Sequence, residues 1–272
     1  MERTPDRQAT GAALRSALRS ALRSALRSAL RPGRALGVLS VLAMMGCQVA
    51  SGLAARPERL TGVIVVLLAA CAAAFAADAW GAARAAAAFA GAALTGYAAE
   101  LAGLLTGFPF GSYGYSDALW PQVAGVPVVV VLAWGGMGLA AHAVAVALVP
   151  SGGVARVCAG AGALTAWDLF LDPQMVRLGL WTWAREGFYR GVPLSNFAGW
   201  LLVSALVMVV VGRIVRPGAP ARGLLALYTV MAVMETVGFA AVFQPPDLLV
   251  AAAGGITMGA FAAPAWRRSW PR

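Results

Sequence analysis

Four carboxylic acids interrupt otherwise apolar stretches of this 272-residue chain: Glu100, Asp168, Asp172 and Glu235. An ionisable side chain within a long hydrophobic segment is costly to keep there, so each is a candidate for chemistry by default. Asp168 and Asp172 stand four residues apart and on a helix would share one face. Pro173 follows and makes continuation of that helix unfavourable, so the pair is expected where helix gives way to loop. The plainer alternatives are that Asp172 caps that loop and that Glu100 and Glu235 are buried carboxyls bonded to neighbouring helices. Aromatic residues crowd the same neighbourhoods, with Phe110, Tyr113 and Tyr115 after Glu100 and Trp181, Trp183 and Tyr189 after the aspartates. Rings near a membrane boundary also serve as interfacial anchors, the commoner explanation for such residues. His142, alone among Ala and Val, is expected to pack rather than react.

Acids and ring faces together in apolar surroundings suit acid-catalysed chemistry on a lipid-soluble alkene. A carboxyl held out of water can stay protonated near neutral pH and act as a proton donor. Protonating a trisubstituted isoprenoid double bond yields a tertiary carbocation, which aromatic faces stabilise while a second carboxylate orients attacking water. The expected roles are proton donation by Asp168 or Glu100 and water positioning by Asp172, helped by Asn196. Phe110, Tyr113, Tyr115, Trp181, Trp183 and Tyr189 would wall the substrate, with Glu235 as a weaker supporting candidate. This chemistry requires no redox cofactor, and no dinucleotide- or phosphate-binding loop is visible in the sequence.

The elements that must hold these residues follow from composition. With 60% hydrophobic and 12% charged residues and a mean hydropathy of +0.76, the chain is more apolar than a soluble globule, whose apolar share is about 45–50%. The expectation is an all-α, polytopic membrane bundle. Runs of spanning length, about 17–25 residues, fall at about 35–55, 60–79, 84–105, 126–149, 154–172, 194–213, 222–243 and 247–265. Residues 1–34 form a basic low-complexity tail in which the tetrapeptide SALR repeats; it reads as a repeat expansion or a wrongly chosen start rather than a working membrane-surface helix. Residues 35–272 would form one membrane-embedded domain.

With both termini on the cytoplasmic face of the cell membrane, Arg56, Arg59, Arg177, Arg185 and Arg190 lie outside and the other sixteen of the 21 basic residues inside, as the positive-inside rule asks. That placement explains the net charge of +10 without a nucleic-acid partner. The three cysteines show no pairing or metal-ligand spacing. The two long loops, roughly 106–125 and 173–193, then share the outer side with all four acids. Both end in an echo, Gly125-Val126-Pro127 and Gly191-Val192-Pro193, where proline is suited to open a new span. Gly103 with Gly107 and Gly255 with Gly259 are spaced for close helix contact.

At these residues the chain resembles the membrane-integral carotenoid biosynthesis proteins, among them the carotenoid 1,2-hydratases. The run Thr106-Gly107-Phe108-Pro109-Phe110-Gly111-Ser112-Tyr113-Gly114-Tyr115, with Glu100 before it, is similar to one signature of that family. Asp168, Leu171-Asp172-Pro173, Gly179, Trp181, Trp183, Tyr189, Asn196 and Gly199-Trp200 are similar to a second. The resemblance implies addition of water across the terminal C1=C2 bond of an acyclic carotenoid end, with a carotenoid and water as partners beside membrane lipids and other enzymes of the same pathway. Two other classes stay open: a carotenoid cyclase or prenyltransferase, and a transporter or non-catalytic membrane subunit.

Overall fold

The computed structural model describes residues 32–215, 218 and 221–270. The SALR tail, Arg216 and Arg272 lie outside them. Eight helices are long and apolar enough to cross a membrane: α1 (Pro32–Leu53), α2 (Glu58–Trp80), α3 (Ala82–Thr106), α4 (Val128–Leu148), α5 (Gly153–Arg177), α6 (Leu194–Ile214), α7 (Arg222–Val237) and α8 (Leu248–Ser269). A π-helical turn, Gly238–Val242, completes α7. The chain is a multi-pass, all-α membrane protein. Consecutive helices run up and down, and α4 is the central post, packed against α2, α3, α5, α6, α7 and α8. Its sequence is apolar all round, the pattern of a helix with no face left for solvent, and 72% of its spanning window is buried, against 17% for α1. Glycines let neighbours approach it: a Cβ on Gly136 would meet Leu68 of α2 at 3.3 Å, and one on Gly138 would meet Ala92 of α3 at 3.2 Å.

Three local expectations are revised. First, α1 starts at Pro32, so Arg34 belongs to a helix rather than to the tail, and it pairs with Asp78 of α2 at 3.0 Å. Second, α5 does not stop before Pro173 but runs through it to Arg177. Proline removes the donor that Leu169 O would have received, and the Tyr189 hydroxyl donates to that carbonyl instead, at 2.9 Å. Third, the small-residue pairs divide. Gly107 ends α3 in the left-handed region (φ 78°) with its N–H on Gly103 O, and Gly103 faces the rings of Phe110 and Tyr113 rather than another helix. Gly255 does pack on Thr236 of α7, whereas nothing lies within 4 Å of a Cβ on Gly259.

The long loops are not irregular throughout. Strands β1 (Tyr113–Tyr115) and β4 (Trp181–Trp183) pair antiparallel across them, with Tyr113 opposite Trp183 and Tyr115 opposite Trp181. Backbone bonds Ser116 N–H to Leu180 O and Ala184 N–H to Ser112 O continue the ribbon at both ends. A tight two-residue pairing of β2 (Gln122–Val123) with β3 (Val126–Pro127) leads into α4. Pro127 and Pro193 sit in extended conformation one residue before α4 and α6, so the Gly-Val-Pro echoes do open spans, from just outside them.

Candidate functional site

Tyr113 and Tyr115 alternate with Gly114 on β1, so both rings leave the same face of the strand, and their partners Trp183 and Trp181 leave the matching face of β4. The ribbon thus turns four rings toward the helix ends. Tyr113 and Tyr115 meet edge to face at 5.5 Å, as do Tyr115 and Trp181. Beneath them Trp134 of α4 stacks on Trp200 of α6 at 4.2 Å.

Glu100, on the last turns of α3 and 4% exposed, receives three donors from this cage. Trp134 Nε1 donates to Oε1 at 2.9 Å, Tyr115 donates to Oε2 at 2.7 Å, and Tyr113 donates to the same oxygen. Burial first, and then the Glu100 carboxyl, push both phenols well above their usual range, so they remain donors. Three donors thus fill three of the roughly four acceptor positions that two carboxyl oxygens offer when ionised.

The aspartates face this cluster from α5. The Asn196 amide, in the first turn of α6, donates to Asp168 Oδ2 at 2.8 Å and also to Asp172 Oδ2. Asp168 Oδ1 is buried with no partner. One amide thus bridges two carboxyls, which would repel each other if both were ionised.

Between the two groups lies a ring-lined cavity. Glu100, Asp172, Asn196, Phe110, Tyr113, Tyr115, Trp181 and Trp183 all line it, joined by Thr61, Trp134 and Trp200. Trp183 Nε1 is a buried donor without a partner here. Asp168 is not on the wall; it lies fully buried behind Asp172. Two expected members stand elsewhere. Tyr189 is committed to Leu169 O and packs on Phe197, its hydroxyl pushed up to about 12 by burial and then by Asp247 and Asp168. Glu235 lies in an adjoining chamber, which shares only Thr61, Val65, Leu171 and Met175 with the first. Sequence reasoning misses Trp134. An indole in a Val-, Ala- and Gly-rich span needs a partner for its N–H, and that is the signal that could have found it. Among the described residues no group of three or more His, Cys, Asp or Glu side chains is placed to hold a metal ion.

The family model described as carotenoid biosynthesis protein matches residues 60–262, which include every residue of the cavity wall. The chain is also similar to the bisanhydrobacterioruberin hydratase of Haloarcula japonica, 32% identical over 120 residues, or 43% of this chain. It spans 41% of the length of that relative. No solved structure matches the chain.

Proposed function

The chain belongs to the carotenoid biosynthesis protein family, and from that premise we propose that it is a hydratase, adding water to the terminal C1=C2 bond of an acyclic carotenoid end to give a tertiary alcohol. The observation that carries this reading is the pairing, across one ring-lined cavity, of a carboxyl held by three donors, Glu100, with an aspartate pair bridged by Asn196. In the proposed reaction Asp172, the member of the pair on the cavity wall, gives its proton to C2. The π electrons form the new C–H bond and leave a tertiary cation at C1. The Glu100 carboxylate and the faces of Tyr113, Tyr115, Trp134 and Trp181 stabilise that charge. Water held by the free Trp183 N–H attacks C1, and the excess proton of the oxonium returns to the Asp172 carboxylate. The sum is alkene plus water to alcohol, with the acid restored. Asp168 acts from behind, sharing the amide and the proton of its neighbour. The polyene remainder of the substrate would lie among the apolar residues of the bundle.

This reading also sets the cavity at the outer end of the bundle and both termini on the cytoplasmic face of the cell membrane. At the opposite end of the described helices stand Arg34, Arg84, Arg156, Arg213, Arg222, Arg267 and Arg268, the excess that the positive-inside rule assigns to the cytoplasm.

The test is to express the chain in cells that accumulate an acyclic carotenoid and to weigh the pigment. The expected product is heavier by one water, and Asp172→Asn and Glu100→Gln should abolish it while the variants remain folded in the membrane. A cyclised pigment of unchanged mass would make the chain a cyclase. Hydrated pigment from both variants at the wild-type level would remove the acid mechanism.

A further inference from the structure

A third pocket lies at the end of the bundle away from the acids. It sits between α4, α5 and α6, and its lining includes His142, Gly153, Arg156, Val209 and Arg213 with no acid among them. His142 is only 3% exposed. Its ring meets Trp80 edge to face at 6.2 Å, yet no hydrogen bond engages either ring nitrogen among the described residues. An imidazole that lines a cavity and lacks a partner has an N–H free for an acceptor and a bare nitrogen free for a donor.

Two further features supply positive charge to the same space. The amino terminus of α5 opens there, through Gly152 and Gly153, with no side-chain cap, so its first N–H groups and the positive end of a 25-residue helix dipole are unanswered. Arg156, in that first turn, is held in place by donating to Val149 O at 2.8 Å and to Pro150 O, which leaves part of its guanidinium fork for another acceptor. Arg213, at the end of α6, has no hydrogen-bond partner among the described residues. A helix amino terminus, two guanidinium groups and an imidazole thus line one pocket without a carboxylate, a set of groups that suits a phosphate.

The rim says which kind of phosphate. From Arg213 a stripe of exposed apolar residues runs back along α6 through Val209 (41%), Leu206 (50%) and Leu202 (46%), spaced three and four apart and therefore on one face. Val154, 79% exposed, stands beside the pocket at the start of α5. A charged pocket continued by a greasy track on a spanning helix matches an amphiphile.

We propose that this pocket binds the phosphate headgroup of one anionic phospholipid, with an acyl chain lying along Val209, Leu206 and Leu202. The site is remote from the acid cavity and does not depend on what reaction that cavity performs.

The full chain, purified in mild detergent, is examined by native mass spectrometry and thermal melting with added phosphatidylglycerol, phosphatidylcholine or inorganic phosphate. Phosphatidylglycerol is expected to remain bound at one per chain and to raise the melting temperature, and the other two are expected to do neither. Arg213→Gln, which breaks no bond within the described structure, should weaken retention roughly tenfold, as loss of one charge-assisted contact does. His142→Phe, which keeps the packing on Trp80, should weaken it as well. Arg267→Gln removes an equal charge from an exposed position at the same end and should leave retention unchanged. Equal loss in Arg267→Gln and Arg213→Gln would overturn the site in favour of general surface charge. Stabilisation by inorganic phosphate alone would overturn the lipid assignment.

Discussion

Asn196 spends one amide nitrogen on two carboxyls. Removing it strands two buried acids for which it is the hydrogen-bond donor among the described residues. Leaving a buried polar group unsatisfied costs about 1–3 kcal/mol, more when it is charged, so Asn196→Ala should lower the melting temperature as well as abolish hydrated pigment. Glu100 offers a contrast, since it has three donors. Tyr115→Phe removes one and leaves Trp134 and Tyr113, so it should reduce product without eliminating it and shift stability by about 1 kcal/mol. Pigment analysis alongside thermal melts of the two variants checks both. If Asn196→Ala retains wild-type product, the aspartate pair is structural.

Elements, rather than single residues, decide where those groups stand, and the passage of α5 through Pro173 is the clearest case. The sequence rule that proline ends a helix is sound for an isolated helix; here Tyr189, twenty residues away, supplies the missing hydrogen bond to Leu169 O. That contact is tertiary, so local pattern cannot reveal it, and for the same reason Tyr189 reads from sequence as substrate wall. The coupling can be measured. Tyr189→Phe alone should destabilise the protein by about 1 kcal/mol or more. In a Pro173→Ala background, where the substituted residue regains an N–H that can serve Leu169 O, the same change should cost less, with a coupling of about 0.5–3 kcal/mol in the double-mutant cycle. The loop carrying Tyr189 is also tied to α8: Arg190 Nε pairs with Asp247 at 2.5 Å, and Asp247 caps α8 by accepting from Val250 N–H. Burial would raise the Asp247 carboxyl, but the bonds from Arg190 and the α8 backbone outweigh it and hold it below the usual carboxylate range. A folded-state value below the unfolded one, about 3.9, gives stability that is complete above that pH and is lost as pH falls through the folded value. The melting-temperature difference between wild type and Asp247→Asn should therefore hold steady from about pH 7 to about pH 5 and close under stronger acid.

At the scale of the whole molecule the spans are legible in the sequence and the site only half so. Hydropathy locates all eight helices within a few residues, because a membrane admits no other long element than one whose backbone bonds close on themselves. The acids are legible for the same reason, since carboxyls stand out against such a background. The ribbon of β1 and β4 is not, because the alternation Tyr-Gly-Tyr facing Trp-Thr-Trp is three residues on each strand and its partner is remote in sequence. Nor can sequence reveal that the site leans on helix contacts outside it. Gly96 of α3 faces Trp134 so closely that a Cβ there would lie 2.2 Å from the indole Cγ. Trp134 in turn donates to Glu100 and stacks on Trp200. Gly96→Ala adds one methyl group and touches no acid, yet it must push the indole off its bond or push α3 from α4. Overpacking of this kind costs about 1–3 kcal/mol, and displacement of Trp134 should lower hydrated pigment per molecule of inserted protein well beyond that loss of stability. Gly259→Ala is the matched control, because nothing lies within 4 Å of the added carbon and alanine favours the helix by up to about 1 kcal/mol. Equal pigment from the two variants would mean that the distance between α3 and α4 does not set the geometry at Glu100.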